Sequence, residues 1–407
     1  MKFLTRHVFS YFFCLGLILY LSVFSFPSLP VYYQKTSLPS TTEIRGVWLT
    51  NVASGVLFVP WGINRALNQL SALNFNTIYP VVWNRGHTFY KSHVAKKAIG
   101  SDAEPLLNLM HGGQDVLTKI VQLAKPRNLS VIPWFEYGFM TPPNSKLAKR
   151  YPDWLTMGKE GIKSTNEIPL EEINDNSAHR QAWLNPLHPE VQEFILGLIV
   201  EVVSRYEVDG IQLDDHFGMP VQLGYDAFTV DLYRREHQGK SPPNDPFNPR
   251  WMRWRADKIT AFMAEISQSV KAIKPNAIIS LSPNSQSFAY KYYLQDWESW
   301  IRKGLIDELI LQVYRNNQNS FITELEQPSV KFARTRIPVG IGILTGTSKT
   351  PVKITQIQTQ VQTVRDRSFP GISFFYWESL WGNITPEAPQ QRHQVFQKLF
   401  AGKAIRP

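Results

Sequence analysis

From Glu43 onward, short runs of β-branched and aromatic residues alternate with longer amphipathic stretches, a pattern that predicts βαβ units around a parallel sheet. The runs Arg45–Thr50, Thr77–Trp83, Ser130–Gly138, Gly210–Asp215, Ala277–Asn284, Glu308–Tyr314, Pro338–Leu344 and Gly371–Glu378 read as strands. Between them, Gly62–Leu73, Gln114–Arg127, Pro189–Tyr206, Trp251–Lys274, Leu294–Gly304, Phe321–Arg334 and Val352–Arg367 read as helices, and Ala388–Phe400 closes the series. Eight strands each followed by a helix is the count of a (β/α)8 TIM barrel, an α/β fold. An open doubly wound sheet shows the same alternation but carries a Gly-rich phosphate turn after its first strand. Here that turn reads Thr50-Asn51-Val52-Ala53-Ser54-Gly55 and does not fit. Long insertions follow the third strand (Phe139–Leu187) and the fourth (Phe217–Arg250). Both leave from C-terminal strand ends, so both are expected to wall the crevice there.

The first 30 residues read differently. Lys2, Arg6 and His7 make a basic start, Val8–Phe26 is almost wholly apolar, and Pro27 and Pro30 end the run. That is the pattern of a secretory signal, and the apolar run of 19 residues is also just long enough to span a bilayer as a helix. No small-x-small cleavage site follows it, which tilts the reading toward an uncleaved anchor. Residues 1–30 are therefore expected as a signal peptide or N-terminal membrane anchor, 31–42 as a linker, and 43–407 as the barrel, exported to the periplasm or cell envelope.

Composition removes several function classes. The only cysteine, Cys14, lies inside the apolar N-terminal run. The folded part can therefore hold no disulfide, thiolate nucleophile or Cys-ligated zinc. The net charge of +10 is spread thinly, with no Lys/Arg-rich run of the kind that tracks phosphates, so no nucleic-acid partner is expected. No motif implies an organic cofactor.

The densest chemistry lies in Asp209-Gly210-Ile211-Gln212-Leu213-Asp214-Asp215-His216, an apolar strand ending in two carboxylates and a histidine. Parallel α/β folds place chemistry at C-terminal strand ends, and adjacent acids repel and desolvate poorly. Their presence there calls for a function. The period of two puts Gln212 and Asp214 on one face, toward the barrel, and Ile211 and Leu213 on the other. The third strand delivers Trp134 and Glu136, the eighth Trp377 and Glu378, and the second Trp83, Asn84 and Arg85. The fifth adds Asn284, the sixth Gln312 and Tyr314, and the first Trp48. Carboxylates, amides and aromatics without a Ser-His-Asp set are the inventory of a glycoside hydrolase, where two carboxylates flank the scissile bond. Trp48, Trp83, Trp134 and Trp377 are individually as apt to fill the barrel as to stack on sugars. Asp214, Asp215 and His216 are also metal-ligand types. Neighbours on an extended strand point in opposite directions, however, so they are not expected to converge, and no metal is assigned.

The motifs Glu43-Ile44-Arg45-Gly46-Val47-Trp48-Leu49, Trp83-Asn84-Arg85-Gly86-His87-Thr88-Phe89-Tyr90-Lys91-Ser92, Trp183-Leu184-Asn185-Pro186 with His188-Pro189-Glu190-Val191, and the 209–215 run together resemble the bacterial glycosyl hydrolase-like 10 family, over roughly residues 43 to 380. The resemblance implies a (β/α)8 barrel, export to the envelope and hydrolysis of a glycan; some members are similar to enzymes acting on peptidoglycan strands. The fourth-strand pattern is also similar to amylase and chitinase-like barrels, in which the acid matching Asp214 is catalytic. A chitinase-type enzyme carries Glu where this chain has His216, and family members often have an acid at the position of His87 and an amide at that of Glu136. The general acid is therefore not copied across directly.

These readings lead to an exported glycoside hydrolase acting on a polysaccharide or oligosaccharide. Asp214 is expected as nucleophile or base, kept ionised by Arg85 or Tyr314. Glu136 is expected as general acid, its pKa raised by apolar surface. Asp215 orients or shares charge, and Glu378 is the reserve acid. Asn84, Arg85, Asn185, His216, Asn284, Gln312 and Tyr314 are the substrate-binding candidates, with the four tryptophans as platforms. The competing class is a glycan-binding barrel of the cell envelope without turnover.

Overall fold

Nine short parallel segments make the central sheet of the computed structural model: β1 (Ile44–Leu49), β2 (Thr77–Pro80), β3 (Ser130–Val131), β4 (Trp134–Phe135), β5 (Gly210–Asp214), β6 (Ile278–Ser282), β7 (Glu308–Gln312), β8 (Val339–Leu344) and β9 (Gly371–Phe375). The structure describes residues 41–161, 181–347, 349–382 and 385–407. The sheet runs β3-β2-β1-β9-β8-β7-β6-β5-β4, so its two edges are consecutive in the chain, separated only by Ile132 and Pro133. The single third strand expected from the sequence is these two pieces. Pro133 has no N–H to give a ladder, yet the stretch bonds on both sides. Ile132 N donates to Ile78 O (3.0 Å), Val82 N to Trp134 O (2.9 Å) and Gln212 N to Pro133 O (2.8 Å). The fold is TIM-like.

A polar thread runs through the sheet's interior. Trp48 Nε1 donates to Gln212 Oε1 (2.7 Å), Gln212 Nε2 to Ser280 Oγ (3.0 Å), and Ser280 Oγ to Glu308 Oε1 (2.8 Å). Trp48 also stacks on Tyr79, with centroids 5.2 Å apart. Close approach is possible because Gly46 has no side chain: a Cβ there would lie 2.7 Å from the Tyr79 ring. Gln212 thus points inward, as the period of two requires, and Asp214 follows it on the same face.

Helices form where the caps allow. Asn248 accepts from the backbone of Arg250 and Trp251, and Pro249 occupies the first turn, so the long helix Pro249–Ile273 starts two residues ahead of the expected Trp251. The helix expected over Phe321–Arg334 is instead two, Gln318–Leu325 and Pro328–Arg334, because Pro328 cannot continue a helix. Gln286–Tyr293 and Ala227–Glu236 are helices the alternation did not show. The eighth predicted strand stops at Phe375, and Trp377–Trp381 is a short helix carrying Glu378.

The chain from Ser40 to Pro407 forms one compact unit. Thr41 and Thr42 pair in parallel with Ala404 and Ile405, so these two residues belong to the folded unit and not to the expected linker. The expected signal or anchor over 1–30 lies outside the described residues. Among the described residues, no helix is long and apolar enough to cross a membrane.

Candidate active site

Asp214 is the last residue of β5 and Gln312 the last of β7, Glu136 follows β4 directly, and Thr50 follows β1. Asn84 sits just beyond β2 in a tight hairpin, Trp83–Asn84 against His87–Thr88. Parallel strands bring these C-terminal ends to one rim, and the hydrogen bonds show the side chains meeting. Asn84 Nδ2 donates to Glu136 Oε2 at 2.6 Å, and Thr50 Oγ1 donates to the same oxygen at 3.1 Å. Gln312 Nε2 donates to Asp214 Oδ1 at 2.9 Å, and Asn284 Nδ2 to Asp215 Oδ2 at 2.7 Å.

His216 ties the carboxylates together. Its Nδ1 lies 3.4 Å from Asp214 Oδ2, 3.2 Å from Asp215 Oδ1 and 3.0 Å from the backbone carbonyl of Glu136. All three are acceptors, so Nδ1 carries a proton. The turn after β5 makes this convergence possible: Phe217 N returns to Asp214 O (3.0 Å), and Gln295 Nε2 clamps the carbonyls of Asp214 (2.9 Å) and Phe217 (3.1 Å). Gly138, at φ +47°, lets the loop beyond Glu136 press on His216, since a Cβ there would lie 2.5 Å from the His216 carbonyl. The ligand atoms of Asp214, Asp215 and His216 all lie within 4.8 Å of one another. The expectation that three adjacent residues diverge therefore fails, because the chain is turning and not extended at Asp215.

Burial sets the charge states. Glu136 is only 7% exposed; desolvation pushes its carboxyl up to about 7, against the pull of Asn84, His216, Thr50 and Arg85. Its Oε1 accepts no hydrogen bond among the described residues, while Oε2 takes both donors. Asp214 is 3% exposed and is also held well above the ordinary aspartate range, by burial first and the Asp215 charge second, with His216 opposing. The expectation that Arg85 or Tyr314 would keep Asp214 ionised is thereby corrected. Arg85 is exposed at a positive-φ turn and makes no ion pair among the described residues, and Gln312 and His216 supply the donors instead. Tyr314 does stand in the cluster: burial, Asp214, Asp215 and Glu136 all raise its phenol.

Other candidates lie elsewhere. Trp48 fills the sheet interior, and Trp134 packs 6.2 Å from it. Trp83 is fully buried against Phe194 with its indole N–H on Gly138 O, so it offers no face to a sugar. Asn185, expected to bind substrate, is fully buried and donates to Asp226 Oδ1 (3.0 Å) and Thr229 Oγ1 (2.8 Å), which makes it a brace between two excursions. Trp377 is buried edge-on to Trp381. Glu378 accepts from Ser54 Oγ and from Val56 N (3.1 Å), fastening the loop after β1; burial lifts it to about 7, and no charge from the Asp214 cluster contributes. Thr50 and Gln295 were not singled out in the sequence. Thr50 carried a usable signal, a hydroxyl closing the first expected strand.

A family model described as glycosyl hydrolase-like 10 matches residues 43–364. The chain belongs to that family. Glycosyl hydrolase DigH of Escherichia coli K12 is 24% identical over 357 aligned residues, covering 75% of this chain and 74% of that protein. Among solved structures, the glycoside hydrolase domain of PgaB (BpsB) from Bordetella bronchiseptica superposes with a TM-score of 0.63 at 12% identity, over 90% of this chain and 100% of that one. The catalytic domain of β-amylase from Paenibacillus polymyxa gives 0.57 at 11% identity, over 88% and 98%. The structural likenesses establish a shared fold.

Proposed function

We propose that this protein is an exported glycoside hydrolase that cleaves a glycan, with Glu136 as general acid and Asp214 as the opposing carboxylate. One observation carries the reading: a buried carboxyl, its pKa lifted to about 7, shares a rim with an aspartate pair held by amides and a histidine. Two carboxyls with distinct environments are what glycosidic cleavage needs, one to protonate the leaving oxygen and one to face the anomeric carbon. The Glu136 charge raises the proton affinity of Asp214 through space, so protonating Glu136 favours ionisation of Asp214. The positive charge that develops on the sugar ring favours it further. Asp215 and His216 share the remaining charge and hold the turn. Export rests on the basic start and the apolar run Val8–Phe26, and peptidoglycan strands are the first substrate to try.

The test is incubation of the protein with purified peptidoglycan, stripped glycan strands and storage α-glucans, with products identified by mass. Cleavage by the wild type and none by Asp214→Asn supports the assignment. Binding without cleavage by either would place the chain among glycan-binding barrels.

A further inference from the structure

A cleft of about 740 Å³ lies beside the carboxylate rim. Helices Gln286–Tyr293 and Gln318–Leu325, which follow β6 and β7, supply much of its lining, together with Tyr314, Arg315 and Asn316. It meets the rim at two places. Tyr314 lines it and also stands within electrostatic reach of Asp214, Asp215 and Glu136. Ser285 lines it and directly follows Asn284, the donor to Asp215.

The lining has a consistent chemistry. Phe288 and Tyr292 are half-buried rings 4.9 Å apart, and Tyr314 adds a third, stacked on Phe375 at 5.6 Å. Asn316, Asn319 and Ser320 present exposed amides and a hydroxyl. Arg315 is matched by Glu324 at 2.9 Å. Lys291 stands 5.0 Å over the Tyr292 ring and makes no ion pair among the described residues. Rings interleaved with amides and hydroxyls suit the apolar faces and equatorial hydroxyls of sugars better than an apolar ligand. The cleft is as large as a full ligand pocket, typically ~300–1,000 Å³, yet neither Glu136 nor Asp214 lines it. An occupant that reaches both must be extended.

We propose that this cleft carries the continuation of the glycan, so that the protein grips a chain over several rings beyond the bond facing Glu136 and Asp214. Tyr292 and Phe288 are the stacking faces, and Asn316 and Asn319 take the hydroxyls. The proposal rests on the glycoside hydrolase reading for its ligand class, and it adds that recognition depends on chain length.

Binding decides it without requiring turnover. Asp214→Asn protein is titrated calorimetrically with two ladders, β-1,4-linked N-acetylglucosamine and α-1,4-linked glucose, each from disaccharide to hexasaccharide. Affinity is expected to climb with length in at least one ladder. Adding Tyr292→Ala should flatten the climb, weakening the hexasaccharide by about tenfold, the worth of one well-stacked ring. Ser320→Trp, an exposed position on the cleft wall, should do the same by filling the space without removing a packed side chain. Length-independent binding, an unchanged climb in both variants, or no binding of either ladder would overturn the proposal. The outcomes separate from those for catalysis. A flattened climb with no cleavage by the wild type leaves the cleft standing and removes the hydrolase, whereas cleavage with an unchanged climb does the reverse.

Discussion

Asn84 Nδ2 and Thr50 Oγ1 both donate to Oε2 of Glu136 and leave Oε1 without a hydrogen bond among the described residues. The carboxyl is thus oriented through one oxygen while the other is left open, the arrangement that the proposed general-acid role requires. Because the proton affinity of Glu136 is near 7, kcat/KM is expected to fall as pH rises through about 7. The Asn84 hydrogen bond favours the charged form, so removing it raises the pKa further. Asn84→Ala should therefore move the basic limb to higher pH while lowering the maximum. A limb that stays in place or moves down would show that Glu136 is not the titrating acid.

Glu136→Gln tests the same group through stability. A carboxyl whose pKa is raised on folding stabilises the native state below its unfolded value, and that contribution is lost as pH rises through the folded value. For Glu136, moving from 4.5 to about 7, the loss between pH 4.5 and 8 is about 3 kcal/mol. Glutamine carries no charge and escapes it. The melting temperature of Glu136→Gln should gain on the wild type as pH rises from about 5 to 8. Glu378 contributes a similar fall to both proteins, so the difference reports Glu136 together with its pull on Asp214. Turnover of the variant should drop by about 10²–10⁴.

How much of this was legible in the sequence depended on what kind of rule applied. Strand-and-helix alternation located the sheet because burial on both faces forces continuous apolar runs. Strand ends then located Asp214, Glu136, Gln312, Asn84 and Asn284, since a parallel sheet sends every C-terminus to one rim. Parity failed at Asp215 and His216, where a turn replaces the extended chain and three neighbours converge. Nothing local distinguishes a tryptophan that fills the sheet, such as Trp48, from one that faces a ligand. Asn185 read as a binding amide because its partner, Asp226, lies 41 residues away in an excursion with no periodic signal. The Tyr292 helix was missed for a related reason: two adjoining short helices blur a 3.6-residue period.

Asp214→Asn keeps the shape of the side chain and can still accept from Gln312. Its fold should therefore be intact, while turnover falls by about 10²–10⁴. Far-UV circular dichroism and product mass spectrometry measure the two halves. Retention of most activity would shift the role to Asp215.

Arg406 reaches Glu308 in the sheet interior, where the carboxylate is 3% exposed and also accepts from Ser280 and, at 3.4 Å, from Tyr79. Removing one partner of a buried pair leaves an unpaired charge in low dielectric, at a cost of about 3–5 kcal/mol. Arg406→Ala should lose stability on that scale in urea titration, although it lies far along the chain from the candidate site. Pairing it with Glu308→Gln should recover part of the loss. Additive losses in the double variant would mean that the pair is not coupled.

The last prediction concerns the ion that the convergence of Asp214, Asp215 and His216 invites. Two readings of the same atoms compete. As metal ligands, the three would need His216 to present an unprotonated nitrogen to the ion. The structure aims Nδ1 at three oxygens, a geometry that keeps this nitrogen protonated, and the carboxylates already accept from Gln312 and Asn284. The proposed two-carboxylate mechanism needs no ion at these groups. Dialysis against EDTA should therefore leave kcat/KM on the cognate glycan unchanged, and added zinc or manganese should not raise it. His216→Gln, which can still donate to the carboxylates, should retain more activity than His216→Phe, which cannot. Loss of activity on chelation, restored by a divalent cation, would reassign the triad as ligands and make Glu136 the acid–base partner of a metal-activated water.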